Sequence, residues 1–324
     1  MTFSNSKFQL PISESDGKTA AARHGQIGNW NLKIKNGFSL VEVLVVVSLL
    51  SLIVLVLMAV FSSTQRAFRA AVTQTDVLEG SRAAMEMMTL DLRTLTPSGG
   101  VSNGPVNLSV LANSSYSAAY APLLQNLPGS TAQRTNLLNY FFVLSRQNTK
   151  WIGIGYVVDH TNTTDLYPLY RFYGETNIQA SPLTLYNNFF NAVQFSQWTN
   201  MSHLIDGVVQ LTVRAQDPNG RCINDGWVNG NYRPYTNALN TTLYYPPNVG
   251  YGYGEAQLYM FSNTVPAAVE LEVGVLEDRA LARAESLPHG SAAQLNFLAQ
   301  QSGVVHLFRQ RVNIPNVDPT AYQP

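Results

Sequence analysis

The chain has 324 residues, enough for one large domain or two small ones with a substantial core. Its 20 basic and 20 acidic residues cancel, which excludes a global basic field for nucleic acid and a global acidic field for a cationic substrate. The single cysteine, Cys222, excludes an internal disulfide and any multi-cysteine zinc site.

Charge is uneven along the chain. Residues 1–37 carry Lys7, Lys18, Arg23, Lys33 and Lys35 against Glu14 and Asp16, whereas fifteen basic and eighteen acidic residues follow from Phe38 onward. A net positive leader therefore precedes a net negative body. From Phe38 to Phe61 the only charge is Glu42, and 19 uncharged residues, Val43 to Phe61, follow it. As a helix rising ~1.5 Å per residue these span roughly 28 Å, close to the hydrocarbon thickness of a bilayer. The run is apolar on every face, unlike a surface helix of a soluble domain. Lys33 and Lys35 precede it, so the leader is expected in the cytoplasm and the bulk of the chain outside. A secretory signal has a shorter apolar core and a small-residue cleavage site. Met58-Ala59-Val60-Phe61-Ser62 fits such a site poorly.

Glu42 argues against a plain anchor, because a carboxylate inside a spanning helix costs about 2.5–3.5 kcal/mol and calls for a partner. The residues around it, Gly37-Phe38-Ser39-Leu40-Val41-Glu42, resemble the prepilin peptidase recognition motif of type IV prepilins and type II secretion pseudopilins. The resemblance implies cleavage after Gly37 by a membrane peptidase and N-methylation of the new terminus, Phe38. It also implies that Glu42 pairs with the N-terminal amine of a neighbouring subunit during assembly. Local chemistry agrees. Gly37 lets the backbone enter a tight cleft, and Glu42 lies in the first helical turn, where the dipole favours a negative charge. The alternative is that Glu42 sits at headgroup level in an uncleaved anchor.

Helical character is expected to continue beyond the membrane. Phe68, Val72, Thr75, Leu78, Met85, Met88, Leu92 and Leu95 recur at spacings of three, four or seven, forming one apolar stripe over residues 62–96. Pro97, Gly99 and Gly100 end it. The proline that kinks the membrane half of many major pilins is absent.

Residues 97–324 read as an extracytoplasmic, β-rich domain. Strands are predicted at Asn139 to Arg146, Ile152 to Asp159 and Leu166 to Tyr173. Val209, Leu211, Val213 and Ala215 alternate with polar residues, as do Val269, Leu271, Val273 and Val275. Helices are predicted at Glu277 to Ser286 and Ser291 to Gln300, then a strand at Val304 to Ile314. The order of a Tyr156 strand, Leu169-Tyr170-Arg171 and Leu204 to Leu211 resembles the larger minor subunits, the J-type pseudopilin and the W-type minor pilin. Val265 to Leu271 and Phe308 to Val312 look similar to the same group. The expected fold class is α+β: a long N-terminal helix packed on a mainly antiparallel sheet.

Residues 218–255 are rich in Asn, Tyr, Gly and Pro and read as a long loop. Asp217, Asn219, Asn224 and Asp225 offer oxygen ligands there, and some pseudopilins bind calcium. Their spacing is not that of an EF-hand, so they are weak metal candidates and otherwise turn formers. The five histidines are isolated in sequence, and Gly250 to Gly254 lacks the strand-then-helix context of a phosphate loop. The chain is therefore expected to act without catalysis or cofactor. The resemblance implies as partners a prepilin peptidase, other pilin or pseudopilin subunits and the inner membrane, with no nucleic acid. A tip adhesin using the Tyr- and Asn-rich loop is the alternative function.

Overall fold

A computed structural model describes residues 39–99, 104–112, 123–160, 164–224, 227–228, 231–232, 235–244 and 257–322; within the long helix, the side chains of 69–77 lie outside it. The chain divides into two compact units, residues 1–62 and 63–324.

Helix α1 runs Leu40–Arg93. Within its first part, Leu40–Phe68, the most apolar 18-residue window has a mean hydropathy of 3.3, and none of that window is buried within the protein. Its serines hide their own polarity. The hydroxyls of Ser48, Ser51 and Ser62 donate to the carbonyls of Val45, Val47 and Ala59 at 2.8, 2.8 and 2.9 Å. Such back-bonding lets a hydroxyl sit in an apolar medium without an orphaned donor.

In the second unit, the last turns of α1 present Ser81, Ala84, Met85, Met88 and Leu92 to the core, all buried. Of the expected stripe, Met85, Met88, Leu92 and Leu95 are buried and Leu78 is partly so, whereas Phe68 is 70% exposed. Val72 and Thr75 lie outside the described side chains. The helix ends at Arg93, three residues before the expected end. Leu95 leaves it to bridge Ser145, and the Thr96 N–H donates to the Leu144 carbonyl at 2.9 Å.

After α1 the elements are β1 (Val106–Ala112), β2 (Leu123–Asn126), β3 (Gln133–Asn136), β4 (Asn139–Gln147), β5 (Lys150–Val158) and β6 (Leu169–Asn177). Next come α2 (Leu183–Gln194), β7 (Ser202–Ile205), β8 (Val208–Gln216), β9 (Trp227–Val228), β10 (Asn231–Tyr232), β11 (Thr241–Tyr244) and β12 (Gln257–Phe261). The chain closes with β13 (Ala268–Leu276), α3 (Asp278–Glu285), α4 (Ala292–Ala299) and β14 (Val305–Asn313). Among the described residues a seven-stranded sheet has the order β11-β12-β1-β4-β5-β6-β7 and a three-stranded sheet the order β14-β13-β8; β9 with β10 and β2 with β3 form small ribbons. All these pairings are antiparallel. The result is the expected α+β arrangement.

One core cluster joins the α1 stripe, the inner face of the large sheet and the three-stranded sheet; a second lies between the other face of the large sheet and α2. Strand β4 shows why its sequence is apolar without interruption. Phe141 and Val143 enter the first cluster, while Tyr140, Phe142 and Leu144 enter the second. A strand covered on both faces needs apolar residues at every position. A third, smaller cluster puts α3 and α4 over Val209 and Leu276. Val209 was expected to share a face with Leu211, Val213 and Ala215. It does not, because β8 slips one residue where Gly274 pairs Gln210 and Val275 pairs Val208. The bulged Val209 turns to the opposite side.

Strand β6 begins three residues later than expected. Leu166 and Tyr167 spend their carbonyls on the N–H groups of Gly207 and Val208, at 2.7 and 3.1 Å, and Pro168 has no N–H for a ladder. The stretch 218–255, expected as loop, contains β9, β10 and β11, the last at the edge of the large sheet.

Candidate functional site

The sequence places its strongest chemistry at residues 37–42. Gly37 and Phe38, with the whole leader, lie outside the described residues. Ser39 and Glu42 are described and form a reciprocal cap at the start of α1. The Ser39 N–H and hydroxyl donate to Glu42 Oε2 at 2.9 and 3.1 Å, and the Glu42 N–H donates to Ser39 Oγ at 3.3 Å. This is the capping box of an S-x-x-E start, a feature present in the letters Ser39-Leu40-Val41-Glu42 that the motif reading passed over. Helix capping therefore gives Glu42 a local role that needs no second subunit. Its carboxylate remains exposed, at a helix start where the dipole favours negative charge.

The loop oxygens weighed as metal ligands hold backbone instead. Asp217 is 4% exposed; its Oδ1 accepts from the N–H groups of Asn219 and Arg221 at 2.9 and 2.7 Å. Its Oδ2 accepts from the Tyr235 hydroxyl at 2.8 Å. Burial, and then the Asp217 carboxylate, push the Tyr235 phenol above its usual range, so it stays a donor. The Arg221 guanidinium lies 5.1 Å over the Tyr235 ring. Asn224 extends the ladder of β8: its Oδ1 accepts from the Ala215 N–H at 2.9 Å and its Nδ2 donates to the Val213 carbonyl at 2.8 Å. Asn219 contributes its backbone N–H. Asp225 lies outside the described residues. Among the described residues no group of three or more His, Cys, Asp or Glu side chains converges as a metal site would require.

A charged cluster that sequence reasoning missed sits where α1 meets the large sheet. Asp91 on α1 receives Arg171 of β6 through both carboxylate oxygens, Nε to Oδ2 at 2.9 Å and Nη2 to Oδ1 at 3.2 Å. The Tyr156 hydroxyl of β5 donates to the same carboxylate, and Arg171 Nε also donates to that hydroxyl oxygen at 3.2 Å. Tyr156 and Arg171 are direct partners across the β5–β6 ladder. Burial above all, with Asp91 beside it, raises the Tyr156 phenol well above its usual range. Fork-to-fork arginine–carboxylate geometry is directional, so the cluster sets how α1 is rotated and shifted over β5 and β6. The available signal was an arginine in the otherwise apolar run Leu169-Tyr170-Arg171-Phe172 and an aspartate beside Leu92 in the core stripe. Either is a misplaced charge until paired.

Residues 32–61 match the family model of the prokaryotic N-terminal methylation motif. This motif and the apolar helix Leu40–Phe68 that it overlaps support a pilin- or pseudopilin-like precursor, without distinguishing a subtype. No curated protein and no solved structure matches the chain.

Proposed function

We propose that this chain is a minor subunit of a type II secretion pseudopilus or type IV pilus, of the larger J-type or W-type kind. In this reading a prepilin peptidase removes residues 1–37 after Gly37 and Phe38 is N-methylated. The apolar part of α1 first anchors the chain in the inner membrane, leader inside and bulk outside, and then enters the filament core. Residues 63–324 supply the lateral contacts with sibling subunits. The observation that carries it is the methylation motif over residues 32–61, continuous with an apolar helix whose first turn holds Glu42. The motif belongs to structural subunits rather than to an enzyme family, in keeping with a chain that acts by assembly.

In the mature chain Glu42 would face a cationic amine on Phe38 or on a neighbour. A buried ion pair of that kind fixes register more than it adds stability. The Ser39–Glu42 capping box favours a second reading, in which Glu42 only caps an uncleaved anchor. Co-expression with a prepilin peptidase, followed by intact-mass and N-terminal peptide analysis of the membrane extract, separates the two. The expected product begins at Phe38, carries one added methyl and is lost in Gly37→Ala. Glu42→Ala should still be cleaved but absent from sheared filaments. Retention of residues 1–37 in the wild-type chain would establish the anchor instead.

A further inference from the structure

The three-stranded sheet ends in a long open edge. Glu277 N–H donates to the Val304 carbonyl and Ile314 N–H to the Ala267 carbonyl, both at 3.0 Å. Between these bonds β13 and β14 pair without a register shift, from Ala268 with Asn313 to Leu276 with Val305. Antiparallel bonding alternates along a strand. The even-numbered residues of β14 therefore bond β13, while Val305, Leu307, Arg309, Arg311 and Asn313 turn their N–H and C=O groups outward. No described strand pairs with that edge, and at nine residues it is long for an uncovered one.

A groove of about 550 Å³ lies between this edge and the last turns of α1, with Leu307 and Arg309 on one side and Arg82, Glu86, Thr89 and Arg93 on the other. Thr89 is 3% exposed, and its hydroxyl has no hydrogen-bond partner among the described residues. Buried hydroxyls rarely stay unpaired unless something absent completes them. The charge is lopsided as well. Arg309 pairs with Glu270, whereas Arg82 and Arg93 in the groove and Arg311 farther along the edge have no ion-pair partner among the described residues, and Glu86 is the only carboxylate lining it.

We propose that the β14 edge and this groove are a docking site for an extended, anionic protein segment that joins the sheet as a fourth strand. Backbone bonds to the odd-numbered residues of β14 would supply affinity, as in strand addition generally. Carboxylates on one face of the added strand would meet Arg82 and Arg93 on the helix side, and a backbone or side-chain group would complete Thr89. The inference does not depend on cleavage or filament assembly.

The test uses the full chain in detergent micelles and a labelled heptapeptide alternating glutamate with valine, read by fluorescence anisotropy and by amide exchange. Two control peptides replace glutamate by lysine or carry N-methyl groups on every second amide. The acidic peptide should bind and protect the amides of Leu307, Arg309 and Arg311. Both controls, and the acidic peptide with an Arg82→Glu/Arg93→Glu chain of unchanged circular dichroism, should bind at least about tenfold more weakly. Equal binding of the N-methylated peptide would reduce the site to charge attraction, and equal binding of the lysine peptide would remove the anionic preference. Either result overturns the proposal, as would no binding at all. It is also overturned if the same three amides are already protected in peptide-free samples in a concentration-dependent way, since the occupant would then be a second copy of this chain.

Discussion

The single carboxylate of Asp91 joins elements remote in sequence: it lies 80 residues from Arg171 and 65 from Tyr156. Removing its cation leaves a largely buried charge with one hydroxyl for company, whereas trimming the hydroxyl leaves the ion pair intact. Arg171→Met should therefore lower the unfolding free energy by about 2–4 kcal/mol, and Tyr156→Phe by only about 1–2 kcal/mol. Urea unfolding of the detergent-solubilised chain, followed by tyrosine and tryptophan fluorescence, measures both. Asp91→Asn with Arg171→Met should recover part of the single-variant loss, because no uncompensated charge then stays inside. A double variant that is less stable than Arg171→Met alone would show that the three groups do not act as one unit.

Among the elements, α2 was the hardest to foresee. Leu183–Gln194 reads Leu-Thr-Leu-Tyr-Asn-Asn-Phe-Phe-Asn-Ala-Val-Gln, rich in asparagine and in β-branched and aromatic residues with modest helix propensity. It forms because Leu185, Tyr186, Phe189 and Ala192 recur on one face and are buried there, and tertiary packing rather than propensity stabilises short helices. Glycines in β5 make room for that face. A Cβ at Gly155 would lie 2.3 Å from Phe189 Cε2, and one at Gly153 would lie 2.8 Å from Leu185 Cβ. Gly155→Ala should thus cost about 1–3 kcal/mol by overpacking, and Phe189→Leu in the same chain should relieve most of it. Thermal unfolding of the two single variants and the double variant forms the cycle that checks the contact. Additive losses would mean that the ring moves aside without cost.

At the scale of the whole molecule, the two units differ in what solvates them. The apolar residues of α1 as far as Phe68 are exposed, whereas every buried α1 side chain described lies from Ser81 onward. A chain beginning at Ser63 should consequently be water-soluble and keep its β-rich circular dichroism, while one beginning at Thr96 should aggregate because Met85, Met88 and Leu92 no longer fill the core; size-exclusion chromatography distinguishes them. The sequence by itself determined the apolar N-terminal helix, the methylation motif and the α+β class, because hydropathy, a six-residue motif and alternation in strands such as β13 are all local. It also located β4, β5, β8, β13, α3, α4 and β14 to within a few residues, since local signals mark them, such as alternation in β8 and β13 and the unbroken apolar run Tyr140 to Leu144 in β4. The start of β6, the inverted side of Val209, helix α2 and the early end of α1 were decided by the tertiary structure. In each of these the backbone bonds or packing partner come from a segment distant in the chain. The Asp91–Arg171–Tyr156 cluster and the open edge of β14 belong to the same class: a charge is paired, or a strand edge left bare, only once the sheets and helices have met.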